Sequence, residues 1–328
     1  MNSPAPRHAR ISIIGAGPGG LTCARILQRH GITVTVHDRD PGPDARNQGG
    51  TLDLHADNGQ LALREASLRP GTVHWGRALD TISGPADGPR QLHFADGTTI
   101  ETDLVIGADG AFSRVRPAVS PAVPEYTGVS FLEARFSDVE NRHPDIAELV
   151  GLGGAHAADG RRALFAQRNS GSHIRVYIIQ RVPADWISAN GLTTEDTDGI
   201  RAVLRDEYAH WSPRMRQLIT ENDGRYIDRP LFALPVPHTW EHNPTVTLLG
   251  DAAHLMPPLG VGVNLAMLDA GELALALANA PTIDNAIHAY EQTMLPRSTD
   301  TAKVLEHGAE HLLSTDVPDL GGDREAQP

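Results

Sequence analysis

A glycine pattern near the start of the chain constrains its fold more than any other feature. Gly15, Gly17 and Gly20 follow a short apolar run at residues 10–14, and a helical pattern comes directly after them. In a strand–turn–helix unit of this kind, the first glycine makes the turn, the second admits a pyrophosphate, and the third lets helix and strand pack closely. Asp38 ends the next apolar run, at about the spacing where an acid accepts hydrogen bonds from ribose hydroxyls. The pattern therefore predicts a Rossmann-like unit that binds a dinucleotide through these four residues.

Two further apolar runs also end close to an acidic residue. The run at 103–106 leads through Gly107 to Asp109, and the run at 246–249 leads to Asp251. In an open parallel sheet the carboxyl ends of the strands form the ligand-binding edge. We therefore expect both carboxylates to lie at that edge, beside the glycine turn.

The segment after Asp251 is expected to start a helix at the same edge. It contains Pro258, Gly260, Gly262 and Asn264 before an Ala- and Leu-rich helical pattern. A helix start offers unpaired N–H groups and a partial positive charge, which suit an anion or an electron-rich carbonyl. Glycine has no Cβ that would keep the backbone away from a ligand. The alternative interpretation is an ordinary strand–loop–helix turn of an α/β protein, and this segment alone does not decide between the two.

The middle of the chain has the pattern of a different domain. Runs at 129–136, 162–167 and 173–181 alternate with a period of two residues, which predicts an antiparallel sheet with one covered face. In the third run, Arg175 and Tyr177 fall on the side opposite the aliphatic residues. That side is either a solvated face or a wall that contacts a substrate, and the pattern favours neither.

The composition argues against several classes of function. The net charge of −13 disfavours a nucleic-acid or anionic-membrane partner, since both attract basic patches. Cys23 is the one cysteine, which rules out an intramolecular disulfide and a cysteine-based metal site, and the histidines lack the HExxH spacing of a metalloprotease. We therefore predict no metal site. No apolar run approaches the roughly 18 residues of a membrane helix, and no signal-peptide pattern is present, so we expect a cytoplasmic location.

Taken together, the motifs resemble those of the single-component (group A) flavin-dependent aromatic monooxygenases. The resemblance rests on the glycine pattern at 15–20, the Gly-Ala-Asp-Gly run at 107–110 and the Gly-Asp-Ala-Ala-His run at 250–254. Within that family, residues 49–55 and 253–258 are most similar to the tetracycline-inactivating monooxygenases. The resemblance implies an α/β fold, in which a Rossmann-like FAD-binding domain of the p-hydroxybenzoate hydroxylase type carries an inserted antiparallel-sheet substrate domain and a C-terminal helix.

The resemblance and the change of pattern along the chain together predict five segments. They are residues 1–116, the first part of the FAD-binding domain; 117–230, the substrate-binding sheet domain; 231–280, the second part of the FAD-binding domain; 281–315, the C-terminal helices; and 316–328, a disordered tail. Within 281–315 we expect two helices, of which the second starts at about residue 298.

FAD is the cofactor that the resemblance implies, with NADPH or NADH as a transient electron donor. In this family a flavin hydroperoxide passes one oxygen atom from O₂ to an electron-rich carbon, here of an aromatic or polyketide-like substrate. No side chain is assigned a catalytic role, because the cofactor carries the chemistry. The positions implied in cofactor binding, of which Arg46 and Asp53 also face the nicotinamide donor, are Gly15, Gly17, Gly20, Asp38, Arg39, Arg46, Asp53, Asp109, Asp251, Pro258, Gly260, Gly262 and Asn264.

Four positions correspond to residues that contact the substrate in the family, namely Glu133, His156, Gln167 and Arg175. Their side chains differ from the pattern of the tetracycline-inactivating enzymes, which argues against tetracycline itself and favours another aromatic or polycyclic acceptor. The expected partners are therefore a small aromatic molecule, O₂ and NAD(P)H, for a monomer or dimer.

One departure from the family pattern keeps two alternatives open. After residue 68 the family carries a longer segment with an arginine that contacts FAD, whereas here residues 67–72 join the flanks directly. Loss of that segment should weaken FAD binding, although Arg64 or Arg69 could supply the cation. The alternatives are a cyclase or isomerase without net redox chemistry, and a non-catalytic binding protein on the same scaffold.

Overall fold

The computed structural model describes residues 5–42, 45, 73–306, 308 and 312–313. The predictions for Arg46, Asp53, the junction at 67–72 and the tail at 316–328 lie outside these residues. Two compact units are present. Of the described residues, 5–42, 73–125 and 232–306 lie in the first unit, and 126–231, 308, 312 and 313 lie in the second. The predicted boundaries of the inserted domain were 116/117 and 230/231.

The helices and strands of the described residues follow in chain order. The strands are β1 Ile11–Ile14, β2 Val34–His37, β3 Val73–His74, β4 Leu79–Ser83, β5 Arg90–Phe94, β6 Thr99–Thr102, β7 Leu104–Gly107, β8 Glu125–Ser137, β9 Gly154–Ala158, β10 Arg162–Asn169, β11 His173–Arg181, β12 Ile227–Ala233 and β13 Val246–Leu248. The α-helices are α1 Pro18–Arg29, α2 Val139–Arg142, α3 Pro144–Val150, α4 Trp186–Ala189, α5 Thr197–Glu207, α6 Pro213–Thr220, α7 Asp251–His254, α8 Gly262–Asn279 and α9 Ile283–Val304.

A parallel sheet organises the first unit. Its strand order is β13-β7-β1-β2-β3, and every pairing is parallel. The residues of β1, β7 and β13 are all buried, which is why these strands are continuous apolar runs rather than alternating ones. A three-stranded antiparallel sheet, β4-β5-β6, adds to the same core. The order brings the carboxyl ends of β1, β2, β7 and β13 to one edge, as the sequence predicts.

The second unit is built on an antiparallel sheet of order β12-β8-β11-β10-β9. The three alternating runs of the sequence correspond to β8, β10 and β11, so this prediction is confirmed. Aliphatic side chains of one face, such as Leu132, Val176 and Ile178, form a core with residues of helices α3 to α6. The opposite face carries polar and aromatic side chains.

The prediction of two separate C-terminal helices was wrong. A single helix, α9, runs through Pro296. Proline removes one backbone hydrogen bond and usually breaks or kinks a helix. Here tertiary contacts hold both sides of it, because Met294 and Ser298 are buried and Arg297 forms ion pairs with Asp269 and Glu272. Of the helices in the described residues, none has both the length and the apolarity that a bilayer span requires.

Candidate functional site

The glycine turn after β1 has the geometry that its sequence predicts. Gly15 has a φ of +109°, and a Cβ at this position would lie 2.2 Å from the carbonyl oxygen of Ala108. A Cβ on Gly20 would lie 2.0 Å from the carbonyl oxygen of Gly15. No side chain larger than hydrogen fits at either position, so these two glycines are required by the fold itself.

Gly17 differs from its neighbours because the protein leaves space around it. It is the N-cap of α1 and has an extended conformation, and no side chain caps this helix end. Apart from Gly17 itself and its neighbours in the chain, no described atom lies within 4 Å of the position that a Cβ on Gly17 would occupy. The first N–H groups of α1 are therefore accessible, as an anion-binding helix start requires.

Asp38 holds the turn in place at the end of β2. Its side chain is 7% exposed, and its two oxygens accept hydrogen bonds from the backbone N–H groups of Ala16 at 2.6 Å and Asp40 at 2.8 Å. Arg39 beside it is exposed. Each carboxylate oxygen has a second lone pair, so the observed bonds leave acceptor capacity for a ribose. The predicted ribose contact stays a prediction.

Asp109 organises the loop that follows β7. It accepts a hydrogen bond from the Ser113 hydroxyl at 2.6 Å and another from the Arg114 backbone N–H at 2.6 Å. Burial raises the pKa of Asp109, although these hydrogen bonds oppose the shift. The observed partners all belong to its own loop, and a direct contact with FAD stays a prediction.

Arg116 joins two of the motifs and was not predicted as a site residue. It is 2% exposed, and its Nε donates to the carbonyl oxygen of Ala252 at 2.8 Å. Its Nη2 donates to the carbonyl oxygens of Ala111 at 2.7 Å and Asp251 at 3.1 Å. The sequence feature that could have identified Arg116 is its position three residues after Ser113, in the loop that follows Asp109. Arg116 fixes the loop after β7 against the start of α7.

Asp251 is placed to meet a ligand. Its side chain is exposed, and no described residue donates a hydrogen bond to its carboxylate. The surrounding loops nevertheless displace enough water to raise its pKa, and the charges of His254 and Arg116 oppose this effect. Its Oδ1 lies 3.8 Å from the position of a Cβ on Gly262, at the first turn of α8. The carboxylate and the helix start are therefore neighbours.

The loop before α8 depends on its glycine and asparagine. Gly260 has a φ of +87°, which favours glycine, and Pro258 is exposed beside it. Asn264 is fully buried, and its amide donates to the carbonyl oxygen of Gly260 at 3.2 Å. These contacts shape the loop, while the predicted contacts of Pro258, Gly260, Gly262 and Asn264 with FAD stay predictions.

A buried ionic network holds the residues that precede this loop. Asp269 on α8 is fully buried and accepts hydrogen bonds from the Gly250 N–H at 3.1 Å, His254 Nε2 at 2.5 Å and Arg297 Nη2 at 2.8 Å. Burial alone would lower the pKa of His254, but Asp269 outweighs it and raises that pKa. Sequence reasoning placed His254 in the loop and missed both Asp269 and Arg297, which lie far from it in the chain.

The four predicted substrate positions lie on the face of the second unit's sheet that is opposite its aliphatic core. Register places Tyr177 opposite Glu133, Arg175 opposite Gln167, and His156 opposite Phe165. Glu133 is fully buried, and its carboxylate accepts hydrogen bonds from Arg135 Nε at 2.7 Å and Arg229 Nε at 2.8 Å. Arg175 Nε lies 3.2 Å from the same carboxylate. Arg135 and Arg229 were not predicted as site residues.

Comparison with known proteins identifies the family. A family model described as "FAD binding domain" matches residues 63–304, and one described as "NAD(P)-binding Rossmann-like domain" matches residues 13–58. The chain belongs to the FAD-binding-domain family. It is an FAD-dependent monooxygenase of the group A type, with FAD as its cofactor. The predicted family, fold class, enzyme class and cofactor FAD are thereby confirmed.

Individual relatives agree with this assignment. The chain is 31% identical over 357 residues to the FAD-dependent urate hydroxylase of Mycolicibacterium vanbaalenii, covering 89% of this chain and 85% of the relative. The structure of 2,6-dihydroxypyridine-3-hydroxylase from Arthrobacter nicotinovorans has a TM-score of 0.76 at 19% identity, covering 97% of this chain and 96% of that one. Tetracycline destructase Tet(55) has a TM-score of 0.67 at 15% identity, covering 96% and 91%. Both structures share the fold of this chain, and one of them is a tetracycline-inactivating enzyme.

Proposed function

We propose that this monooxygenase uses NADPH or NADH and O₂ to insert one oxygen atom into an aromatic or polyketide-like small molecule. The observation that carries the proposal is the pairing of two accessible helix starts with one exposed carboxylate. Gly17 leaves the start of α1 open, and Asp251 lies beside Gly262 at the start of α8. Bound FAD would supply the redox chemistry, because it accepts two electrons from a nicotinamide and activates O₂.

The residues of the first unit suit the charges and hydroxyl groups of FAD. The open N–H groups at Gly17 suit the pyrophosphate, because a helix start attracts negative charge. Asp38 would hold the adenosine ribose, and Asp251 would accept from the hydroxyls of the ribityl chain. The start of α8 at Gly262 would stabilise negative charge on the N1–C2=O edge of the flavin through its partial positive charge. The remaining residues that we propose to contact FAD are Arg39, Asp109, Pro258, Gly260 and Asn264.

The substrate would lie on the polar face of the second unit's sheet. His156, Gln167 and Arg175 occupy this face on three adjacent strands. Phe165 and Tyr177 on the same face have rings that are parallel within 10°, with centroids 6.4 Å apart, which suits packing against an aromatic substrate. The rigid strands would fix the substrate ring, because a site on strands is held more tightly than one on loops.

The proposal is tested on the purified protein with and without added FAD. We expect a yellow protein with flavin absorption bands that bleach when NADPH or NADH is added without O₂. In air, a substrate should stimulate nicotinamide oxidation and yield a product that is heavier by one oxygen atom, with the label from ¹⁸O₂. An FAD-loaded protein that converts its substrate without a change of mass and without nicotinamide use would support a cyclase or isomerase instead.

The cytoplasmic location and the choice between monomer and dimer also stay predictions. Cell fractionation and size-exclusion chromatography with light scattering would check them.

A further inference from the structure

A cluster of three arginines around one buried glutamate defines what the sheet face of the second unit can bind. We call Arg135, Arg175, Arg229 and Glu133 the arginine cluster. Building on the proposed function, we propose that the arginine cluster binds an acidic aromatic substrate, a flat ring that carries a carboxylate or another deprotonated oxygen. Glu133 is then a positioning residue, and the guanidinium groups of Arg135 and Arg229 are the groups that contact the substrate.

The charge of the arginine cluster favours an anionic ligand. Burial alone would raise the pKa of Glu133, but the hydrogen bond from Arg135 and the charges of Arg175 and Arg229 outweigh it and lower that pKa. The carboxylate is therefore ionised, and three positive charges face one negative charge. One arginine would suffice to neutralise a buried glutamate. The remaining positive charge is notable in a chain with 41 acidic and 28 basic residues, because it attracts an anion to this face.

Two arginines of the cluster carry like charges on neighbouring strands. Arg175 and Arg135 lie directly opposite each other on β11 and β8. Like charges directly opposite across a sheet are destabilising. An anion that binds between or beside these guanidinium groups removes the repulsion. Glu133 accepts from Arg135 and lies 3.2 Å from Arg175 Nε, so it offsets part of this repulsion, and a bound anion would offset the positive charge that remains.

Two arginines of the cluster retain donors that can bind a ligand. Arg135 and Arg229 each donate to Glu133 through Nε. Among the described residues, nothing accepts a hydrogen bond from the Nη groups of either arginine. Their side chains are 27% and 47% exposed, so both can reach a ligand. A guanidinium group held at one edge presents the paired donors that match a carboxylate.

Aromatic side chains lie beside the arginine cluster on the same face of the sheet. Tyr177 lies opposite Glu133, and its ring centroid is 5.5 Å from that of Phe131 and 6.4 Å from that of Phe165. Arg175 Nη1 donates to the Tyr177 hydroxyl at 3.5 Å, which links the aromatic side chains to the cluster. Phe165 is 37% exposed. Phe131 is itself buried and supports Tyr177. A ring that packs on Phe165 and Tyr177 would place a charged substituent at the arginines.

The test measures binding of matched acids and amides to the FAD-loaded protein by calorimetry. The probes are benzoate, naphthoate and anthracene carboxylate, each compared with its neutral amide. We expect at least one acid to bind about tenfold more tightly than its amide, with a difference that shrinks at high salt. Equal affinity of acid and amide for all three rings, or no binding of any acid, would overturn the proposal.

Variants assign the effect to named residues. Arg229→Gln and Arg135→Gln should each weaken binding of the acid about tenfold and leave the amide unchanged. Arg214→Gln is the matched control, because Arg214 is an exposed arginine on α6 that pairs with Glu148. An equal effect of Arg229→Gln and Arg214→Gln would contradict the assignment.

Flavin content and nicotinamide oxidation, measured on the same samples, separate this proposal from the proposed function. Protein that holds FAD and oxidises only neutral rings would overturn the acidic-substrate proposal and leave the monooxygenase function intact. Protein that binds acids selectively but shows no substrate-stimulated nicotinamide oxidation would support the acidic-substrate proposal and overturn the monooxygenase function.

Discussion

The two units use buried carboxylates in opposite ways. In the first unit, Asp38 and Asp109 accept hydrogen bonds from nearby backbone N–H groups, and Asp269 is enclosed by His254 and Arg297. In the second unit, Glu133 is outnumbered by arginines that extend toward water. The acids of the first unit therefore fix loops, whereas the acid of the second unit positions cations.

This difference explains why the partners of some carboxylates can be predicted from the sequence and those of others cannot. A carboxylate that holds its own loop has partners within a few residues, as Asp109 has Ser113 and Arg114. A carboxylate that gathers arginines from three strands has partners that only the sheet register brings together. The first kind leaves a recognisable motif, and the second does not.

The largest effect is expected where the buried charges are most enclosed. Asp269→Asn leaves His254 and Arg297 without their buried partner, so the free energy of unfolding should fall by about 3 to 5 kcal/mol. Glu272→Gln is the control, because Glu272 pairs with the same Arg297 but is 31% exposed, and its loss should cost about 1 kcal/mol or less. Urea unfolding of both variants measures this, and equal costs would contradict the difference in enclosure.

Gly20→Ala tests the steric requirement of the turn in the first unit. Its Cβ would lie 2.0 Å from the Gly15 carbonyl oxygen, which is a rigid backbone atom. We expect a loss of about 3 kcal/mol in the free energy of unfolding of the apoprotein. Circular dichroism during urea unfolding measures it, and a variant as stable as the wild type would show that the turn can relax.

Glu133→Gln extends the comparison to the second unit. Its partners Arg135 and Arg229 reach water, so they remain solvated when the carboxylate is lost. We therefore expect a cost of about 2 kcal/mol, less than for Asp269→Asn. If urea unfolding gives a larger cost for Glu133→Gln than for Asp269→Asn, the two clusters do not differ as described.

His37 gives a smaller, pH-dependent effect in the first unit. It is 1% exposed, and burial, with His74 and Arg77 nearby, lowers its pKa to about 4. The unfolded chain takes up this proton near pH 6.5, so the folded protein loses about 1 kcal/mol per pH unit as pH falls from 6.5 toward 4, with no loss above this window. His37→Phe should remove this dependence. Unfolding free energies at pH 7, 6 and 5 measure it, and an unchanged slope would exclude His37 as the cause.

The sequence predicts the parallel sheet of the first unit and the positions of its motifs. The order of motifs places Gly15, Gly17, Asp109 and Asp251 at one sheet edge, because each directly follows a buried parallel strand. Arg116, Asp269 and Arg297 escaped prediction, since their partners are distant in the chain. The sequence also predicted a break between two helices near Pro296, but α9 is continuous there. Tertiary contacts on both sides of the proline outweigh its tendency to end a helix.

In the second unit, the sequence predicts the strands and the polar face but not its chemistry. Alternation identifies which residues share a face with Arg175. It does not give the register that sets Arg135 opposite Arg175, or the strand order that brings Arg229 to Glu133. These contacts depend on pairing between strands that lie far apart in the sequence.

The most direct test of the whole account is Gly17→Ala in the first unit. No described atom lies near the added Cβ and the backbone has a negative φ, so the unfolding free energy of the apoprotein should change by less than about 1 kcal/mol. The same Cβ would stand where the pyrophosphate approaches, so the dissociation constant for FAD, measured by flavin fluorescence, should rise at least about tenfold. A stable Gly17→Ala variant that binds FAD as tightly as the wild type would contradict the account.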